Sequence, residues 1–200
     1  MPVTSSHLMH FEGGNALSAF RARALLSALQ AVHEPVQGVS ARHVHWVRSA
    51  APLAAADRDK LAALLRYGEP AGKVAAGERV VVMPRLGTVS PWASKATDIA
   101  HNCGLPVQRI ERCTEFTLQL QRGLLGGGKV LTAQQRQDCA AVLHDRMTES
   151  VAFERDAAVH LFDAQPAAAQ AAVEPAVRCR WRRSHAGGGR AGVASFEDRG

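Results

Sequence analysis

The chain contains 200 residues, 46% of them apolar and 21% charged, and carries a net charge of +6. This apolar fraction is enough to bury a core, and the sequence shows neither the pattern of a secretory leader nor the ~18 consecutive apolar residues of a membrane helix. We therefore expect a cytoplasmic protein with no membrane partner. Four irregularly spaced cysteines indicate reduced thiols rather than a disulfide framework: Cys103, Cys113, Cys139 and Cys179.

The positive charge is concentrated in the last part of the chain. Residues 178–200 hold six arginines against Glu197 and Asp198, whereas the remainder is nearly balanced. An arginine-rich segment with Trp181 could bind RNA through phosphate contacts and base stacking. The same composition is what a shifted reading frame of a GC-rich gene produces, and we expect no nucleic-acid partner.

The first half of the chain predicts strands and helices in alternation. They are a strand over 6–11, a turn at Gly13-Gly14-Asn15, a helix over 17–32, an extended segment or hairpin over 36–47, and a helix over 57–67. Pro35 and Gly68 end the two helices. In the extended segment we expect Val39, Val44 and Trp46 to face the core.

The second half repeats this order. It predicts a buried strand over 79–84, a helix that Ser90-Pro91 begins and Cys103-Gly104 ends, a strand over 107–120, a glycine-rich loop over 123–128 and a helix capped by Thr132. We expect the last helix to bury Leu143 and Met147, to carry the charged residues of 144–149 on its exposed face, and to continue toward Phe162.

The doubled pattern predicts an α+β fold. Residues 6–67 and 79–150 form two pseudo-repeated strand-helix units, whose simplest packing is one sheet with helices on one face. We expect a single domain over 1–150, the start of a linker over 151–175 and a disordered tail over 176–200, where periodicity is lost.

One segment carries a family resemblance. Residues 84–104, which read Pro-Arg-Leu-Gly-Thr-Val-Ser-Pro-Trp-Ala-Ser-Lys-Ala-Thr-Asp-Ile-Ala-His-Asn-Cys-Gly, resemble the N-terminal domain of the large, single-chain phosphoribosylformylglycinamidine synthases. Flanking motifs extend the similarity to about residues 15–165: 16–21, 65–68, 109–112 and 144–149. Beyond it the tail resembles out-of-frame translation, a hypothesis that resequencing of the gene would test.

The resemblance implies a ligase of de novo purine biosynthesis. Such enzymes convert formylglycinamide ribonucleotide, ATP and glutamine to the amidine, and use ATP and magnesium in the full-length protein. It implies that the partners of this region are synthetase and glutaminase domains, and that the region itself holds no cofactor and no catalytic residue. We therefore expect a fragment that is inactive alone. The alternative is a stand-alone accessory subunit of a multi-chain synthase.

The signature segment is also the candidate site. A helix N-terminus after Gly87 and Thr88 offers free N–H groups to a phosphate, with Lys95 nearby, whereas the alternative is that the segment packs against the rest of the enzyme. The residues we single out for an interdomain or ligand contact are Arg85, Gly87, Thr88, Ser90, Trp92, Ser94, Lys95, Asp98, His101 and Asn102.

Two chemical alternatives are weaker. His43 with His45, and His101 with Cys103, have ligand-type side chains two residues apart, but a zinc site needs a second recognisable pair, and side chains two apart on a helix diverge. We expect no metal site. Cys103 as a nucleophile would need a base, and the sequence identifies none.

Overall fold

The computed structural model describes residues 7–72, 76–121 and 130–163. In chain order these ranges contain β1 (His7–Asn15), α1 (Ala19–Val32), β2 (Val36–Ser49), α2 (Ala55–Leu64), β3 (Glu78–Pro84), α3 (Pro91–Asn102), β4 (Val107–Leu120), α4 (Ala133–Leu143), β5 (Glu149–Ala152) and a 3₁₀ helix (Arg155–Phe162). No helix within these ranges has the length and apolar character needed to cross a membrane.

The strands form one antiparallel sheet in the order β1-β2-β4-β3-β5. Its centre is the β2–β4 pair, which extends from Val36 beside Leu120 to Ser49 beside Val107. The unit β1-α1-β2, with 9, 14 and 14 residues, recurs as β3-α3-β4, with 7, 12 and 14. Each unit contributes one central strand, so the two copies lie side by side in a single sheet.

All four α-helices cover the same face of this sheet. Side chains alternate between faces along a strand, so Ala41 and Val47 of β2 point to the same side. Ala41 belongs to a buried cluster with residues of α1 and α4, and Val47 belongs to a cluster with residues of α2 and α3. The α+β class with helices on one face is confirmed.

The 3₁₀ helix covers part of the opposite face. Its Leu161 and Phe162 are buried against Val44 and Trp46. Our expectation that Val44 and Trp46 share an inward face with Val39 is wrong, because residues an odd number of positions apart point to opposite sides of a strand. Val39 packs under the α1 and α4 helices instead.

The chain after α4 also differs from the prediction. The helix ends at Leu143, and Met147, which we expected to be buried, is 75% exposed. A turn forms there because the Asp145 carboxylate accepts hydrogen bonds from the Met147 backbone N–H (2.8 Å) and from the Thr148 hydroxyl (3.2 Å). Residues 144–149 therefore lie in a turn and an edge strand rather than on a helix face.

Residues 151–163, where we expected a linker to begin, pack on the sheet as β5 and the 3₁₀ helix. The predicted loop over 123–128, the linker residues 164–175 and the tail over 176–200 lie outside the described residues.

A charged network occupies the 3₁₀ side of the sheet. Glu115 of β4 is 2% exposed and accepts hydrogen bonds from Arg155 Nε (2.8 Å) and Arg42 Nη2 (2.7 Å). Both arginines also pair with Glu12 of β1. Burial alone would raise the pKa of Glu115, but the hydrogen bonds from Arg155 and Arg42 outweigh it and lower this pKa to about 2.

This network predicts acid-sensitive stability. The pKa of Glu115 is lower in the folded protein than in the unfolded chain. Its contribution to the free energy of unfolding is therefore present at neutral pH and is lost as the pH falls from about 4.5 toward 2. Glu115→Gln should lower the unfolding free energy at pH 7 by about 3 kcal/mol and flatten its slope in that pH range. Urea denaturation across the range measures both effects.

The exposed carboxylate of Glu34 supplies the control. Glu34→Gln should change the unfolding free energy at pH 7 by less than about 0.5 kcal/mol. Equal effects of the two substitutions would contradict a stabilising network at Glu115.

Candidate functional site

The signature segment forms the β3–α3 loop and helix α3. Gly87 has φ +81°, a backbone conformation that favours glycine. Ser90 caps α3 because its hydroxyl accepts a hydrogen bond from the Ala93 backbone N–H (3.0 Å), and Pro91 occupies the first helical position. The helix ends at Asn102, before Gly104 with φ +73°. The predicted start and end of this helix are confirmed.

The structure brings only part of the predicted site together. Four of its residues line one cavity of about 450 Å³: Arg85, Thr88, Ser90 and Trp92. Lys95 lines a neighbouring cavity beside Trp92. Four others lie on exposed parts of α3 and line none of the three cavities described below: Ser94, Asp98, His101 and Asn102. His101 instead contacts the Val107 carbonyl oxygen through Nε2 at 2.7 Å.

Three cavities lie next to one another along the helical face and share lining residues. The first, of about 260 Å³, lies between α2 and α3, and it shares Trp92 with the 450 Å³ cavity beside the β3–α3 loop. That second cavity shares Thr114 and Glu149 with a third, of about 690 Å³, which lies between α1 and the α4–β5 turn. We call this surface the central groove; its lining includes Phe20, His43, Tyr67, Trp92, Arg112 and Glu149.

An aromatic cluster fixes the middle of the central groove. The fully buried His45 places Nε2 2.9 Å from the Tyr67 hydroxyl, and its ring stacks on Trp92 with centroids 5.5 Å apart. Arg112 donates a hydrogen bond to the Tyr67 hydroxyl (3.2 Å), and its Cζ lies 4.6 Å from the Trp92 ring centroid. Residues of β2 and β4 therefore hold the two aromatic side chains in place.

The loop that carries Tyr67 is held by β1. The Asn15 backbone N–H donates to the Glu69 carbonyl oxygen (2.7 Å), and a Cβ on Gly14 would lie 2.6 Å from the carbonyl oxygens of Tyr67 and Glu69. A Cβ on Gly13 would lie 2.6 Å from Cε1 of His45. These glycines lie in a strand with a register shift, rather than in the turn that we predicted, because the loop and the ring approach the strand so closely.

The electrostatics of the groove floor keep its two histidines uncharged at neutral pH. Burial lowers the pKa of His43 to about 4, assisted by the charge of Arg112. The pKa of His45 is also lowered to about 4, by burial first and then by His43 and Arg112. Both rings are therefore neutral at pH 7, and His45 contributes stacking and a hydrogen bond rather than charge.

The two buried thiols of the described residues are not activated. Burial raises the pKa of the Cys113 thiol to about 12 and also raises that of Cys139, so neither is an activated nucleophile. Within residues 7–72, 76–121 and 130–163, no group of three or more His, Cys, Asp or Glu side chains is placed to hold a metal ion.

Sequence reasoning missed Tyr67, Arg112 and Thr114 as members of this site. A signal was present for the two β4 residues, because Arg112 and Thr114 are polar positions on the strand face that otherwise carries Ile110 and Phe116. Tyr67 was read as the end of a helix, and no periodic pattern marks its contact with His45.

The neutral histidines give a direct spectroscopic prediction. In NMR titrations the imidazole resonances of His43 and His45 should titrate near pH 4, because burial disfavours the charged ring. A His43→Asn variant assigns its resonance. Titration of either ring near its ordinary value of about 6.5 would contradict this account of the groove floor.

The cap of α3 gives a prediction about stability. Ser90→Ala removes the hydrogen bond to the Ala93 N–H and should lower the unfolding free energy by about 1 kcal/mol, measured by urea denaturation. Ser94→Ala is the matched control, because this exposed serine lies in the same helix away from the cap. A loss at Ser94 as large as that at Ser90 would argue against capping.

The comparison with known families agrees with the resemblance of the signature segment. Residues 42–162 match the family model described as formylglycinamide ribonucleotide amidotransferase N-terminal. The matched range begins in β2 and ends with the 3₁₀ helix, and it contains the aromatic cluster: His43, His45, Tyr67, Trp92 and Arg112.

Proposed function

The chain belongs to the formylglycinamide ribonucleotide amidotransferase N-terminal family, and on this basis we propose that it is a non-catalytic docking domain of that ligase. The family places it in the N-terminal region of an enzyme of purine biosynthesis. The proposed role is to hold the synthetase and glutaminase parts of the enzyme in a productive arrangement.

The observation that carries this proposal is the composition of the central groove. Six of the nine large apolar side chains that are exposed in the described ranges line it: Phe20, Leu64, Tyr67, Val89, Ile99 and Met147. Concentrated exposed apolar surface is typical of protein interaction sites. None of the residues that line the groove is a cysteine, so this surface offers no thiol nucleophile for taking ammonia from glutamine.

The chemistry of the reaction then belongs to the partners. Formation of the amidine needs ATP and magnesium to activate the amide carbonyl oxygen that nitrogen replaces, and it needs ammonia released from glutamine. We propose that the synthetase and glutaminase domains supply both in the cytoplasm, and that this chain binds neither ATP nor glutamine. The signature residues from Arg85 to Trp92 would then contact a partner domain rather than a phosphate.

A stand-alone accessory subunit is the second candidate. The two β-α-β units close into one sheet with buried clusters on both faces, so the described residues form a self-contained folding unit. Such a unit could associate with separately encoded synthetase and glutaminase chains. DNA downstream of the gene separates the two candidates: it encodes either the rest of a large synthase or distinct smaller proteins.

The test is an amidation assay. The purified chain is incubated with formylglycinamide ribonucleotide, MgATP and glutamine, and amidine formation is followed together with glutamate release. We expect no turnover from the chain alone, and turnover when the synthetase and glutaminase parts are supplied. Amidine formation by the chain alone would overturn the docking proposal, as would full activity of the other parts without it.

A further inference from the structure

The central groove combines its apolar lining with unpaired positive charge. Arg21, Arg85, Lys95 and Arg112 all line it, and none of them forms a salt bridge within the described ranges. Arg112 contacts the Tyr67 hydroxyl and the Trp92 ring, and Arg85 donates a hydrogen bond to the Met147 carbonyl oxygen (3.4 Å); none of these partners carries a negative charge. The cations therefore remain available to a partner.

The acidic residues of the groove are already used internally. Asp145 accepts hydrogen bonds from the Met147 backbone and the Thr148 hydroxyl, and Glu149 Oε2 accepts one from the Asp145 backbone N–H (2.8 Å). Neither carboxylate forms a salt bridge within the described ranges, and four cationic side chains against two carboxylates leave the lining of the groove positively charged. The surface thus favours a partner that is both apolar and acidic.

The α2–α3 end of the groove has the shape for large side chains. Its 260 Å³ cavity is walled by leucines, Ile99 and Trp92, with Ile110 as the floor and Lys95 at the rim. Grooves between packed helices typically bind an amphipathic helix, whose apolar side chains at positions i, i+3, i+4 and i+7 enter the groove. Neighbouring positions of such a helix would place carboxylates near Lys95 and Arg112.

We propose that the central groove binds an acidic amphipathic helix of a partner protein, with an apolar anchor in the α2–α3 cavity and carboxylates against Lys95, Arg85 and Arg112. The inference rests on the docking role proposed above and adds the chemical character of the partner, an acidic helix with one apolar face. A nucleic acid is disfavoured because the α2–α3 cavity is lined by apolar side chains, with Lys95 as the one charged residue in its lining, and each alternative is an outcome of the test.

The experiment selects ligands without assuming their sequence. A library of random displayed peptides long enough for about four helical turns is selected on the full chain, and enriched peptides are synthesised and measured by fluorescence anisotropy. We expect the enriched sequences to carry leucine, isoleucine or aromatic residues at helical spacing, with glutamate or aspartate beside them. Circular dichroism should show the peptides gaining helix on binding.

Matched variants locate the binding surface. Ile99→Ser, at a site 46% exposed in the groove, should weaken binding about tenfold, whereas Val32→Ser, at a site 47% exposed outside it, should leave binding unchanged. Lys95→Glu should weaken the binding of acidic peptides about tenfold and should strengthen the binding of versions whose acidic residues are replaced by lysine. Arg23→Glu on α1 should change neither. All four sites are on the surface, so we expect each variant to fold, and circular dichroism of the purified variants checks this.

Several results would overturn the proposal. The first is that the selection enriches basic or extended peptides, or that no peptide binds saturably. The second is that Ile99→Ser and Val32→Ser weaken peptide binding equally. The third is that a single-stranded oligonucleotide binds in a salt-sensitive manner and competes for the groove. The amidation assay keeps the two proposals distinct. If the chain is inactive alone and Ile99→Ser does not change its peptide binding, the groove assignment is refuted, but the docking role is not.

Discussion

The pairing of β2 with β4 is the constraint on which the rest of the structure depends. Each strand has 14 residues, and His43 lies opposite Thr114 at the middle of the pair. A slip of one residue would turn Ile110 away from the helices and would send Glu111 and Glu115 into their apolar core. Burial of an unpaired carboxylate is costly, so the positions of Glu111 and Glu115 help to fix the register of the two strands.

This arrangement separates two kinds of chemistry on the two faces of one sheet. The charges around Glu115 on the 3₁₀ side satisfy one another, with Arg42 and Arg155 enclosing this carboxylate. On the helical side, an apolar lining and unpaired cations surround the central groove. The charged network around Glu115 is closed by its own ion pairs, whereas the cations that line the groove form no salt bridge among the described residues. Docking at the helical face therefore requires no disruption of the charged network.

Much of the fold was predictable because its signals are local. Proline and glycine punctuation, the serine cap at Ser90 and the alternation of 107–120 give the correct element types. The end of α4 was not predictable from periodicity, because the Asp145 side chain stops the helix through hydrogen bonds that residues 144–149 make among themselves. The aromatic cluster was missed for a different reason: His45, Tyr67 and Trp92 come from three elements, and only the sheet topology brings them together.

The close approach of β1 to the Tyr67 loop limits where the protein can be shortened. The family match begins at residue 42, yet Gly14 and Asn15 lie before it and hold the loop that forms one wall of the groove. A shortened protein that starts at the matched boundary would lose this support. It would also leave much of β2 as a bare sheet edge, whose unpaired backbone groups invite pairing with other chains. Self-association of such a truncated protein would then reflect the missing strand rather than a natural oligomer.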